Sequence, residues 1–360
     1  MEMNGHECVA FCEIDKYARQ SYKAIYDTEG EEEWHDITQV SNDDFRSFRG
    51  RADVITGGFP CQAFSIAGKR RGFADTRGTL FFEIARAIKE IQPSYTLLEN
   101  VKGLFSHDKG RTFGTIIQAM DELGYVVEWG LFNSKFWGVP QNRERVYILA
   151  TRKDKFKEPL LFDLVKQQTE VTTRLIDVLE DEVDEKYYLS EEKTKKLTLD
   201  HDLGGKLNMY NYKELDRVHS VNKVSPTLNT MQGGDRQPKI AIREATKKGH
   251  AVAEPGDSVN YAVPTSKTRR GRVGKGIANT LDTGCQQGVV VRTTVVRTTV
   301  DGFRIRKLTP LECWRLQGFT DEQFYKAKND GVSNSQLYKQ AGNSVTVNVI
   351  NEIAKNFGGF

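Results

Sequence analysis

An excess of either charge is the first thing this chain lacks. Its 52 lysines and arginines stand against 49 aspartates and glutamates, a net charge of +3 over 360 residues. That total argues no nucleic-acid partner, and only local clusters can carry such a claim. Cysteine is scarce too, with five residues at 8, 12, 61, 285 and 313. An odd, scattered set is neither a disulfide framework nor a zinc cluster. Cys8 and Cys12 have no second pair to complete a metal site. No apolar run is long enough to span a bilayer and no signal peptide opens the chain. The expectation is therefore a cytoplasmic protein with no membrane partner, in a reducing compartment where a free thiol survives as a reagent. What remains is 38% hydrophobic residues, enough for one large or two smaller domains.

Strand and helix patterns alternate over residues 1–150. "ECVAFCEID" reads as a strand and "KYARQSYKAIY" as a helix. "ADVITGGFP" is a short apolar run ending in glycines, which suits a buried strand and a turn. "TLFFEIARAIKEI" is an amphipathic helix, "SYTLLENV" a strand, and "TFGTIIQAMDELG" a helix that stops at glycine. "YVVEWGLFNS" and "RVYILATRK" are strand-like. This order predicts an α/β fold with a doubly wound, mostly parallel sheet. From about 151 the texture becomes charged, then rich in Gly, Thr and Ser with short strand-like pieces to about 300. "VSPTLNTMQGG" at 224–234 and "IANTLDTGCQQG" at 277–288 echo each other as hairpin-like units. "VRTTVVRTTV" at 291–300 is a tandem duplication, either a β-ribbon or a genetic slip. "LTPLECWRLQGF" and "SVTVNVINEIAKNF" return to helix. The middle reads as a smaller β-rich domain, 151–300, inserted into a domain formed by 1–150 and 301–360.

One turn stands apart from this regular texture. In "ITGGFPCQAF", Cys61 follows Pro60 directly after a strand, where open α/β sheets place their chemistry. Proline fixes the backbone and biases Phe59 to an extended shape. An isolated thiol is more often a small buried hydrophobe than a nucleophile. Three other stretches shift that weighting. Glu99 in "LLENV" ends the next strand, Arg143 and Arg145 in "QNRERVYI" alternate along an extended segment, and "QAGNSV" offers a glycine–asparagine turn ahead of a helix. Each has a bland reading alone, but a thiol, a carboxyl and two guanidiniums at strand ends form a candidate site.

Residues 1–150 and 303–360 resemble the DNA (cytosine-5)-methyltransferases. The resemblance rests on Pro60-Cys61-Gln62, on Glu99-Asn100-Val101, on Gln141 with Arg143 and Arg145, on "RKLTPLECWRLQGF", and on "GNSV" at 342–345. It implies a class I methyltransferase fold, with the insert reading the target. It also assigns roles. Cys61 would add to carbon 6 of cytosine, making carbon 5 nucleophilic. A protonated Glu99 would stabilise ring nitrogen 3, Arg145 would hold the base's carbonyl oxygen, and Arg143 would support the thiol side.

The methyl donor implied is S-adenosylmethionine, leaving S-adenosylhomocysteine, with no metal. Its site would comprise Glu13 on the ribose hydroxyls, Ile14 on adenine, Asp36 with Ile37, Pro60, Leu80, Asn343 and Ser344. The family's Phe-x-Gly-x-Gly-Gly loop does not occur in this sequence, so a start placed downstream of the true one, or a truncated gene, is expected, with poor donor affinity. The base must be flipped from a duplex to be reached. Ser65, Lys69, Arg70 and Arg71 in "FSIAGKRRGFADTRG" read as a loop that closes over it, and Arg269, Arg270 and Arg272 in "SKTRRGRVGKG" as a phosphate-clamping strip. Double-stranded DNA is thus the partner, with a cognate restriction endonuclease acting separately and the methyltransferase itself a monomer. The rivals are a donor-deficient DNA-binding form, an RNA cytosine-5 methyltransferase, and a generic nucleotide-binding domain. The last leaves Cys61, Glu99 and Arg145 without purpose.

Overall fold

The computed structural model of the chain describes residues 1–60, 80–190, 240–292 and 303–357, and all structural statements here concern those residues. The amino-terminal half runs β1 (Ala10–Cys12), α1 (Lys16–Ile25), β2 (Glu32–Trp34), α2 (Asn42–Arg46), β3 (Val54–Gly58), α3 (Leu80–Ile91), β4 (Tyr95–Val101), α4 (Arg111–Glu122), β5 (Tyr125–Asn133), β6 (Gln141–Asn142), β7 (Glu144–Arg152) and α5 (Leu161–Lys166). Then come β8 (Ile240–Arg243), β9 (His250–Ala253), β10 (Ser258–Asn260), β11 (Val273–Gly274), β12 (Ala278–Asn279), β13 (Gln287–Arg292) and β14 (Phe303–Lys307). The chain closes with α6 (Pro310–Arg315), α7 (Asp321–Asn329), α8 (Asn334–Asn343) and α9 (Val347–Ala354).

The main sheet has the order β3-β4-β7-β5. Its β3–β4 pair is parallel, whereas β7 runs antiparallel to both β4 and β5. The sheet, expected to be mostly parallel, carries β7 antiparallel because β5 and β7 are joined too closely for the crossover that parallel neighbours require. β1 and β2 form a separate parallel pair. Strands β4 and β7 read as nearly unbroken apolar runs because both faces of this sheet are covered. Leu98, Val146, Ile148 and Ala150 point into a core shared with α3 and α4. Leu97, Tyr147 and Leu149 point the other way, into a core with Leu161 and Leu164 of α5 and Val349, Ile353 and Ala354 of α9. The carboxyl-terminal segment returns to cover that second face, and α5, beyond residue 151, packs with it rather than with the later strands.

A second sheet, in the order β11-β10-β13-β14, encloses its own small core of Val259, Val290 and Ile305. A third core joins the second sheet to the carboxyl-terminal helices, where Leu281, Cys285 and Val289 meet Cys313, Trp314 and Leu337. Of the two echoed segments, 277–288 supplies β12 and the start of β13. Residues 224–234 and most of the tandem repeat lie outside the described residues.

Candidate active site

The sheet order brings the carboxyl end of β4 beside the amino end of β7. Glu99 and Arg145 lie on the same sheet face as Leu97 and Tyr147, with Glu99 opposite Tyr147 and Val101 opposite Arg145 in the register. The diagonal closes as an ion pair, Arg145 Nε to Glu99 Oε1 at 2.8 Å, with both side chains mostly buried. Burial pushes the Glu99 carboxyl above its ordinary value, while the Arg145 and Arg143 guanidiniums pull it back only in part. On the other side Glu99 is paired in register with Gly58 of β3. A Cβ at Gly58 would rest 3.4 Å from Glu99 Oε2, so glycine leaves the flank of the carboxyl open. The double glycine of "ITGGFP" was the sequence signal for this.

Asn100 faces the opposite way and is buried. Its Nδ2 donates to the Phe59 carbonyl oxygen at 2.8 Å. Phe59 in turn is buried against Phe81, with ring centroids 5.4 Å apart. The backbone is therefore fixed up to exposed Pro60, the residue that precedes Cys61 in the chain. Cys61 itself, with Ser65, Lys69, Arg70 and Arg71, lies outside the described residues.

Arg143 takes a different place from Arg145. Its guanidinium is buried and donates to the carbonyl oxygens of Leu281 (3.3 Å), Gly342 (3.2 Å) and Ser344 (2.6 Å). Burial, with Arg145 nearby, pushes its pKa down to about 10. It ties β7 to the carboxyl-terminal turn and to the loop after β12. That turn also differs from the expected glycine turn, since Gly342 and Asn343 are the last residues of α8. Glycine is needed there because a Cβ would sit 2.6 Å from the carbonyl of Asp282.

Of the residues assigned to the donor, Glu13 and Ile14 precede α1, Asn343 and Ser344 stand at the end of α8, and Asp36, Ile37 and Leu80 lie by α3. Glu13 extends the β1–β2 ladder through its N–H to Trp34 O, and its Oε1 accepts from Asp15 N at 2.7 Å. Ile14 follows it and is 74% exposed. Lys339 of α8 pairs with Asp15 at 2.6 Å, and Gln340 Nε2 donates to Tyr17 O at 2.9 Å, so α8 carries exposed Asn343 and half-buried Ser344 to the entrance of α1. Asp36 caps the next turn through Thr38 N (2.9 Å) and Thr38 Oγ1 (2.7 Å), bonds that hold its carboxyl below the usual range. Arg86 of α3 fixes that turn by donating to Ile37 O at 2.9 Å and Val40 O at 2.8 Å. Leu80, at the start of α3, is 42% exposed. Exposed apolar side chains beside carboxylates at strand ends suit an adenine ring and a ribose diol, so this donor set fits an adenosyl group.

The basic strip divides. Arg270 is exposed and Arg269 half-buried, but Arg272 is fully buried. Its guanidinium donates to the carbonyl oxygens of Asn260 (3.1 Å), Ala262 (3.1 Å) and Val263 (2.7 Å). This corrects the assignment of Arg272 to phosphate: a guanidinium enclosed by the loop it organises is not presented to a partner. Gln317 was not singled out from sequence, and Gln141 was named only as part of the motif with Arg143 and Arg145. Gln141 Nε2 donates to Leu316 O at 2.8 Å, and Gln317 Nε2 to Ala341 O at 2.6 Å, both buried behind the carboxyl-terminal turn.

Comparison with known proteins gives the family. A family model described as C-5 cytosine-specific DNA methylase matches residues 1–359. The chain is 37% identical to the orphan methyltransferase M.SPRI of Bacillus phage SPR, over 98% of this chain and 92% of that one. It is 35% identical to the type II methyltransferase M.SsoII of Shigella sonnei, over 98% and 74%. Among solved structures, the S. pombe Dnmt2 methyltransferase superposes with a TM-score of 0.57 at 19% identity, over 97% of this chain and 90% of that one, a likeness of fold. The chain belongs to the C-5 cytosine-specific DNA methylases.

Proposed function

We propose that the chain methylates carbon 5 of a cytosine flipped out of duplex DNA, at a specific site, through a covalent Cys61 adduct. The observation that carries the reading is the Glu99–Arg145 pair, a buried carboxyl raised in pKa beside a guanidinium, next to Gly58 and the fixed backbone that precedes Cys61 in the chain. S-adenosylmethionine would supply an electrophilic methyl group. Glu13, Ile14, Asp36, Leu80, Asn343 and Ser344 would hold its adenosyl part.

The thiolate of Cys61 adds to carbon 6 of the base, and electron density moves towards ring nitrogen 3. Glu99, with its raised pKa, gives that nitrogen a proton, and Arg145 steadies the adjacent carbonyl oxygen. Carbon 5 would then take the methyl group as the methyl–sulfur bond of the donor breaks, leaving S-adenosylhomocysteine. Loss of the carbon 5 proton would expel the Cys61 thiolate, and nitrogen 3 would return its proton to Glu99, which restores the ring. Arg143 touches backbone carbonyls rather than open space, so its part is to position the turn that carries Asn343 and Ser344.

The deciding experiment is transfer of a labelled methyl group from S-adenosylmethionine to unmethylated duplex DNA, with Cys61→Ser in parallel. Label should enter DNA only with Cys61 present. Equal labelling by the two chains would remove the covalent mechanism, and label entering transfer RNA but not duplex DNA would move the substrate to RNA. A second reading, a chain that holds DNA but loads its donor poorly, is favoured by the division of the parallel strands into β1–β2 and β3–β4. No label from either chain, with DNA binding intact, would select it.

A further inference from the structure

The loop that closes the insert is stitched to β6 of the catalytic body. β12 pairs in parallel with β6, so Ala278 and Asn279 lie beside Gln141 and Asn142. Ala278 N donates to Pro140 O (2.8 Å), Thr280 Oγ1 to Asn142 O (3.0 Å), and Leu281 N to Gln141 Oε1 (3.4 Å). Gln287, at the start of β13, braces the same loop from the insert side, with Nε2 donating to Asn279 O (3.0 Å) and Thr280 O (2.9 Å). The loop is therefore bonded to the insert's sheet on one side and to β6 on the other.

Arg143 follows β6 directly. One of its terminal nitrogens reaches Leu281 O, and the other reaches Gly342 O and Ser344 O. The two oxygen sets belong to different parts of the molecule, the insert's loop and the turn assigned to the donor. Among the described residues Arg143 Nε is buried without a partner, so within them the side chain relies on these two sets of oxygens. Direct packing reinforces the link, because Gly342 has no room for a Cβ against Asp282 O at 2.6 Å and Thr283 N at 2.8 Å. A displacement of the loop by a residue's width is thus felt at the Gly342–Ser344 turn. Close-packed interiors transmit such shifts rather than absorb them.

We propose that Arg143 and the Leu281–Thr283 loop couple the insert to the donor turn, so that target DNA held by the insert tightens binding of the methyl donor. The proposal rests on the methyl-transfer reading for the identity of the two ligands. Coupling of this kind is reciprocal, so donor must tighten DNA by the same factor. DNA that orders the insert fixes Leu281 O and Asp282. Arg143 then holds Gly342 and Ser344 in one arrangement, and the donor meets a turn whose ordering cost is already met.

The test reads binding alone. S-adenosylhomocysteine is titrated into the full chain with and without saturating unmethylated genomic duplex fragments, and label transfer is measured separately. In wild type the affinity for S-adenosylhomocysteine should rise roughly fivefold or more with DNA present. Arg143→Lys keeps the charge but loses the forked reach to both sets of oxygens. Gly342→Ala drives a methyl against Asp282. In each the DNA effect should fall to within about twofold of none, while both proteins still bind DNA alone. Thr280→Val, which removes one exposed-side bond, serves if those two fail to fold, and should weaken the effect partway.

An undiminished DNA effect in folded variants, or no effect in wild type, overturns the proposal. A wild type that binds both ligands and shows the coupling but transfers no label sinks the methyl-transfer reading and leaves this one standing. A chain that binds neither ligand sinks both.

Discussion

At the scale of single residues, the site turns on Glu99. Burial raises its folded pKa above the ordinary 4.5 despite the Arg145 pair. Between those values the native state binds more protons than the unfolded chain. The contribution is therefore fully present below about pH 4.5 and is lost as pH rises through the folded pKa. Thermal unfolding of wild type followed from pH 4 upward should lose stability relative to Glu99→Gln, which has no proton to release, and parallel curves would refute this. The same variant should transfer methyl groups roughly 100- to 1,000-fold more slowly, the usual loss for one donor to a developing charge. Cys61, Glu99 and Arg145 were legible as residues because their types and order suit one chemistry. The separate place of Arg143 was not, since alternation along the chain puts it on the same face as Arg145 and says nothing of the carbonyls that enclose it.

Among elements, helix periodicity and apolar runs located β1, β3, β4, β5, β7 and helices α1, α3, α4, α6 and α9. α7 and α8 escaped notice, being polar segments that contribute few buried residues each, Phe324 and Ala327 in one and Leu337, Ala341 and Gly342 in the other. α6 shows how local chemistry sets an element. Thr309 accepts from Glu312 N at 3.2 Å while Glu312 Oε2 accepts from Thr309 N at 2.8 Å, and Pro310 opens the helix. Glu312 also takes Arg306 in a buried two-pronged ion pair and receives Glu180 N at 2.9 Å. Thr309→Ala should cost about 1–2 kcal/mol in denaturant unfolding. A change under about 0.5 kcal/mol would show that the Glu312 network holds the helix start without the cap.

For the whole molecule, the small net charge means DNA affinity must come from where cations are displayed rather than how many there are. Replacing exposed Arg270 with Gln should lower the slope of log affinity against log salt by about one. Arg272→Gln should leave that slope unchanged and lower stability by about 1–3 kcal/mol, because the Asn260, Ala262 and Val263 carbonyls lose their donor. Equal slopes lost in both variants would return Arg272 to the DNA surface.

The sequence by itself determined the family and the two-faced sheet, and it named the candidate reactive groups. Those depend on residue types, their order and short-range periodicity, which are properties of the chain. Only the tertiary structure decided that β7 runs antiparallel between β4 and β5, that Arg272 is enclosed by carbonyls, and why Gly342 is a glycine. Each of these depends on contacts between distant segments. Arg143 meets Leu281 and Gly342 across 138 and 199 residues of chain, and no local pattern encodes such a meeting.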